Sequence, residues 1–174
     1  AHVGSDGVVY AFEPFRMLFQ YLNANVAVNG LLNVHTYHCA LSNSSAPSRV
    51  QAVGPSLLGG QNAGWFKVFE EGTLNAAQRE SMSNERLEDV EVRTLDSFEL
   101  PRVDLIKIDV EGHAPFVLEG AVETIRRHQP LIWFEEHTKV VPDVLKRPEL
   151  NYECKWVEST LPMFLCWPLE PFYS

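Results

Sequence analysis

Val103-Asp104-Leu105-Ile106-Lys107-Ile108-Asp109-Val110 runs almost unbroken in apolar residues and then gives way to Glu111-Gly112-His113. A short run rich in Ile, Val and Leu reads as a strand buried on both faces, the habit of parallel sheets covered by helices. The acids and the glycine that follow mark its end. Downstream, in a helix starting near Pro115, Leu118, Ala121, Val122 and Ile125 share one face, and Arg126-Arg127-His128 put basic groups at its carbonyl end. Pro130 stops that helix, and Leu131 to Phe134 forms the next strand, running into Glu135-Glu136-His137. Two parallel strands joined by a helix require a right-handed crossover.

The same order appears upstream. Gly7 to Pro14 reads as a buried strand, and Phe15, Leu18, Phe19, Leu22 and Val26 then recur at helical spacing until Asn29-Gly30. Leu32 to Leu41 reads as another strand, closed by the polar loop Ser42-Asn43-Ser44-Ser45. From 46 to 89 the periodicity weakens, and this stretch is read as an insertion in one domain spanning 1–174. Within it, Gly54 to Gly64 is either a lid or acceptor loop or a plain insertion. A short strand at Val90 to Thr94, a short helix near Val140 to Arg147 and a hairpin of Tyr152 to Val157 with Met163 to Trp167 complete the reading. The expected fold is an open, mostly parallel α/β sheet of Rossmann-like type with a C-terminal antiparallel hairpin.

The 174 residues carry 14 Lys+Arg against 23 Asp+Glu, a formal net charge of −9, with 45% hydrophobic and 21% charged residues. This is an ordinary globular composition. Nucleic acid and anionic lipid are disfavoured as partners, because no basic block supplies a positive field. Cys39, Cys154 and Cys166 show no Cys-x-x-Cys spacing, so no disulfide framework is expected and a reducing, cytoplasmic setting is the simpler reading. No apolar run approaches the roughly 20 residues of a spanning helix. The first residues lack the basic and apolar regions of a signal peptide.

In open α/β sheets, ligands bind beyond the carboxyl ends of the strands, which directs attention to Glu13, to Ser42 and Asn43, to Asp109 to His113, and to Glu135 to His137. Glu13 either accepts hydrogen bonds from a ribose diol or is a strand-end acid favoured by the adjacent helix N-terminus. Asp109 and Glu111 lie on one side if the strand persists that far; there they can orient a hydroxyl or take up a proton, or else one caps the next helix and the other is solvated. His113 by itself reads as a loop residue. Glu135 and His137, also two apart, can form a general-base pair, since a carboxylate orients an imidazole. A metal site is the competing use of Asp109, Glu111, Glu135 and His137, and none is assigned from the sequence.

Val3-Gly4-Ser5-Asp6-Gly7-Val8-Val9-Tyr10-Ala11-Phe12-Glu13-Pro14, Asn29-Gly30-Leu31-Leu32-Asn33-Val34 and Ala40-Leu41-Ser42 together resemble consecutive blocks of the FkbM-like S-adenosylmethionine-dependent methyltransferases. Thr94-Leu95-Asp96-Ser97, Asp104-Leu105-Ile106-Lys107-Ile108-Asp109-Val110-Glu111-Gly112, Leu118-Glu119-Gly120-Ala121 and Pro130 to His137 continue the series in order, with Lys-Ile-Asp-Val-Glu-Gly the most specific part. The resemblance implies a class I methyltransferase sheet and O-methylation of a hydroxyl on a sugar or small metabolite. It puts Glu13 on the cofactor ribose and Leu41, Ser42 and Asn43 near the adenine. Asp109, Glu111, Glu135 and His137 then face the methionine end and the acceptor, with His137 or Asp109 as base. Relatives carry a first strand and a glycine-rich loop ahead of the Val-Gly-Ser-Asp-Gly turn, and these are missing here, so the chain is expected to be a fragment of a longer protein. A degenerate Rossmann-like binding module and a nicotinamide-dependent oxidoreductase are the alternatives.

Overall fold

The computed structural model of the chain describes residues 3–4, 6–44, 48–54, 67–70, 86–158 and 162–169, with backbone alone for 48–54, 67–70, 86–88 and 158. Residues 55–64 of the glycine-rich stretch lie outside the described residues, as do 75–85 of the polar tract. The chain divides into two units, one of residues 1–40 and 46–92 and one of 41–45 and 93–174.

In the first unit, β1 (Val9–Phe12) and β2 (Val34–Tyr37) pair in parallel, Val9 opposite Val34 and Phe12 opposite Tyr37. Helix α1 (Arg16–Val28) makes the crossover between them, as Pro14 and the 15–26 spacing predict. The Asn33 side chain donates to the carbonyls of Gly7 (2.7 Å) and Gly4 (3.2 Å), fixing the entry to β1. The Thr36 hydroxyl donates to Asn23 Oδ1 at 2.7 Å, tying α1 to β2. β1 is half-buried rather than buried, because the rings stacked along it, Tyr10 on His35 and Phe12 on Tyr37, cover it only in part. The strand expected over 32–41 is two strands: β2 stops at Tyr37, and β3 (Ala40–Leu41) turns to join a different sheet. That sheet has the order β3-β6-β4-β5, from β4 (Ser48–Gly54), β5 (Lys67–Glu70) and β6 (Arg86–Arg93), with β4 antiparallel to both neighbours. The 46–89 stretch therefore carries strands that its weak periodicity did not reveal. β6 begins at Arg86, four residues ahead of the expected strand, because Arg86, Glu88 and Asp89 obscure the apolar alternation. Buried Phe15, Ala40, Val90 and Val92 form the core here, with Met17 and Leu18 packed on them.

In the second unit, β7 (Leu105–Ile108) is parallel to β8 (Leu131–Glu135), followed by antiparallel β10 (Pro162–Pro168) and edge strand β9 (Tyr152–Glu158), in the order β7-β8-β10-β9. The C-terminal hairpin is as expected. The 114–128 segment is two helices, α2 (Ala114–Glu119) and α3 (Val122–His128), rather than one. The break follows from Asp96, whose carboxylate accepts the N–H groups of Thr124 (2.7 Å) and Glu123 (3.1 Å), while its own N–H donates to the Gly120 carbonyl (3.0 Å). Gly120 is required at the junction, since a Cβ there would collide with the Ser42 carbonyl. The helix expected near 140–147 is a single 3-10 turn, Asp143–Lys146, held from the side by Arg147 donating to both oxygens of Glu119 at 2.7 Å.

β7 is not buried on both faces. Ile106 and Ile108 point into a core with Leu118, Ile125, Ile132 and Phe134, whereas Leu105, Leu131 and Trp133 are 49%, 46% and 43% exposed. Side chains alternate across a strand, and α2 and α3 supply apolar cover to one face. The cysteine reading is also corrected. Cys154 and Cys166 face each other across β9 and β10 and form a disulfide, while Cys39 is buried and free of one. An opposed pair on a hairpin leaves no Cys-x-x-Cys signature, and cysteine usage no longer argues for a reducing compartment. No helix among the described residues is long and apolar enough to cross a membrane.

Candidate functional site

Because β7 and β8 are parallel, their carboxyl ends emerge together, with Ile108 opposite Phe134. One step further on each strand stand Asp109 and Glu135, so the register itself brings the two acids side by side, and a hydrogen bond joins their carboxyls. Two adjacent carboxylates cannot both ionise freely, and the surroundings decide which yields. Asp109 is held below the usual carboxylate range by a hydrogen bond from Lys107, whose ammonium sits 2.8 Å from Oδ2, and then by the bond from Glu135. Glu135, 5% exposed, is pushed up first by burial and then by Asp109 and by the charge of Glu111, with His137 opposing. Of the two, Asp109 is the stronger acid and Glu135 the weaker. Lys107 was legible in the sequence, since a lysine two residues before Asp109 in a strand shares its side.

The strand does not persist to Glu111. It ends at Ile108, and Val110 to His113 form a turn closed by the His113 N–H on the Val110 carbonyl at 3.1 Å. Its central residues, Glu111 and Gly112, have φ of +47° and +85°. Glycine adopts that region freely, but a glutamate there is uncommon. Glu99 and Gln129, also left-handed, cap helix ends where this is usual, whereas Glu111 caps none. The turn, not strand periodicity, carries Glu111 to the cluster. His137 Nε2 lies 3.9 Å from Glu111 Oε2 and 3.7 Å from Glu135 Oε1. The structure thus brings Asp109, Glu111, Glu135 and His137 together. His137 and Asp109 are the more exposed members, at 56% and 46%.

The 41–43 loop reaches this turn through a contact that the sequence reading did not single out. His113 Nε2 lies 3.1 Å from the Ser42 hydroxyl, and its ring stacks on Phe116. Ser42 is buried and its N–H donates to the Arg93 carbonyl at 3.0 Å, so Ser42 is a structural member of the loop, with Asn43 exposed and Leu41 half-buried at the end of β3. His113 therefore links two strand-end loops rather than merely lying in one. Neighbouring Glu136, buried, turns its Oε1 to the Thr138 N–H (3.0 Å) and hydroxyl (2.9 Å), a turn-forming role.

In the other unit, Glu13 follows β1 and its Oε1 accepts the Phe15 N–H at 2.8 Å at the start of α1. Burial raises its carboxyl above the ordinary value, and the Phe15 bond pulls the other way. One carboxylate oxygen is thus engaged just ahead of the helix, leaving Oε2 as an acceptor.

The chain matches none of the curated proteins. A crystal structure of methyltransferase FkbM from Methylobacillus flagellatus KT superposes with a TM-score of 0.57 at 16% sequence identity, over 92% of this chain and 36% of that one. The chain thus spans about a third of that solved relative, and the likeness establishes the shared fold. The profile of the methyltransferase FkbM domain matches residues 1–152, which include every candidate residue above. The chain belongs to the FkbM family of methyltransferase domains.

Proposed function

We propose that this domain binds S-adenosylmethionine and takes part in methyl transfer to a hydroxyl of a sugar or small metabolite. The observation that carries the reading is the convergence of Asp109, Glu111, Glu135 and His137 beyond β7 and β8 in a chain of a methyltransferase family. When bound, the cofactor supplies a methyl group on a sulfonium, and displacement requires an acceptor oxygen in line with it, so positioning and proton removal are left to the protein. Glu13 Oε2, which accepts no hydrogen bond among the described residues, suits a ribose hydroxyl. Exposed Asn43 offers its amide N–H groups to a base edge, its Oδ1 accepting from the Ser42 hydroxyl at 3.4 Å. His137 Nε2 is the exposed base, and the two carboxylates within 4 Å orient the ring and compensate the charge it gains. Asp109 is the second candidate, weakened as a base by its Lys107 partner.

Calorimetric titration with S-adenosylhomocysteine, beside a nicotinamide dinucleotide, tests the reading. Selective saturable binding is expected, reduced about tenfold in Glu13→Gln, which keeps an acceptor for the Phe15 N–H but replaces a charged hydrogen bond worth about 1.5 kcal/mol. Absence of binding, or equal binding of both ligands, overturns the cofactor assignment for this chain.

A further inference from the structure

Glu135 is 5% exposed, yet no N–H or O–H group outside the carboxyl cluster donates to it among the described residues; its hydrogen-bonding neighbour is another carboxyl, Asp109. A buried carboxylate is stable only with a proton, donors or a cation. One proton shared with Asp109 serves at most one Glu135 oxygen. The nearby ammonium, that of Lys107, is engaged by Asp109, and His137 stands at 3.7 Å, beyond hydrogen-bond length. Glu111 brings a further carboxylate to the same point instead of a donor.

The donor atoms of Glu111, Glu135 and His137 lie within 4.8 Å of one another, too far apart to bond directly but well spaced to share an ion. With two sides of 3.7 and 3.9 Å and the third no longer than 4.8 Å, the equidistant point falls roughly 2.5 Å from each atom, within the range of roughly 2.0–2.6 Å for oxygen and nitrogen donors on divalent cations. Two carboxylates and one imidazole suit a cation of intermediate hardness. We propose that Glu111, Glu135 and His137 bind one divalent cation of the Mn2+ class, with its remaining positions open toward the acceptor side. Such an ion would hold an acceptor hydroxyl and ease loss of its proton, which then passes to Asp109 because His137 Nε2 is taken by the ion; that use rests on the methyl-transfer reading, whereas the binding itself does not.

Titration of Mn2+ into the full chain, followed by loss of the free-ion electron paramagnetic resonance signal, tests the site. One saturable site is expected in the wild type and in Glu123→Gln, a surface acid outside the cluster that pairs with Arg126. His137→Ala and Glu111→Gln should each weaken it about tenfold or more. Circular dichroism establishes folding, and should His137→Ala fail to fold, Glu111→Gln decides alone. No saturable binding by the wild type, or unchanged affinity in a folded ligand variant, overturns the proposal. S-adenosylhomocysteine titrated into the same samples keeps the two readings apart: Mn2+ binding without cofactor binding supports the ion site and overturns the cofactor assignment.

Discussion

Reduction of Cys154–Cys166 should cost the second unit a calculable share of its stability. The bridge joins residues 12 apart in sequence. Closing a loop of that length removes about 9.5 cal/mol/K from the unfolded chain, or about 3 kcal/mol at room temperature, if the effect is wholly entropic. The native hairpin should survive, because Cys154 and Cys166 occupy opposed positions within a register running from Tyr152 opposite Pro168 to Glu158 opposite Pro162. Phe164 also stays packed between the Phe134 and Trp156 rings. The loss should therefore appear as a lower midpoint rather than a lost strand, and about 3 kcal/mol corresponds to roughly 6–12 °C in a domain of this size. Thermal and urea unfolding with and without a phosphine reductant, and of the Cys154→Ala/Cys166→Ala double variant, measure it. Thiol counting in denaturant gives the independent check: the unreduced chain should show Cys39 alone. Three reactive thiols, or a midpoint shift below about 0.5 kcal/mol, would refute the reasoning.

Asp96→Ala should destabilise by about 2 kcal/mol, because the Thr124 N–H is buried and loses its acceptor while the exposed Glu123 N–H turns to water; Asp96→Asn, keeping one acceptor, should lose about half of that in urea melts. Glu13 supplies a pH dependence of defined sign. Burial raises its folded pKa, so its contribution to stability is complete below about pH 4.5 and is lost as pH rises through the raised value. Glu13→Gln, which still accepts from Phe15, should match the wild type at pH 4 and exceed it at pH 7, and a variant relatively weaker at pH 7 would contradict the assignment.

Strand, helix and hairpin order was legible because apolar runs, helical spacing and proline stops are local signals. The strand over 105–108 and the pair 152–158 with 162–168 stand where these signals put them. What failed depends on contacts distant in sequence. The break between α2 and α3 is imposed by Asp96, more than twenty residues upstream, and the disulfide by a hairpin register that composition does not encode. The candidate cluster was legible as residue types but not as geometry. Asp109 and Glu135 meet through strand register, which two strand ends almost dictate, whereas Glu111 arrives through a turn that only its backbone angle reveals. The joining role of His113 had no local signal, since its partner Ser42 lies 71 residues away.

The left-handed backbone at Glu111 bears on how this sequence can drift. At φ of +47°, glycine, asparagine or aspartate would be the more comfortable occupant, so the thermodynamically easy substitutions are those that remove or shorten the side chain that reaches His137. Folding stability alone therefore pulls this position away from glutamate. Lineages that no longer use the carboxylate should lose it early, by substitutions that leave the fold as stable or more so, while the apolar positions of β7 and β8 remain. The identity of the residue at this turn is thus a readable record of whether the cluster is still in service.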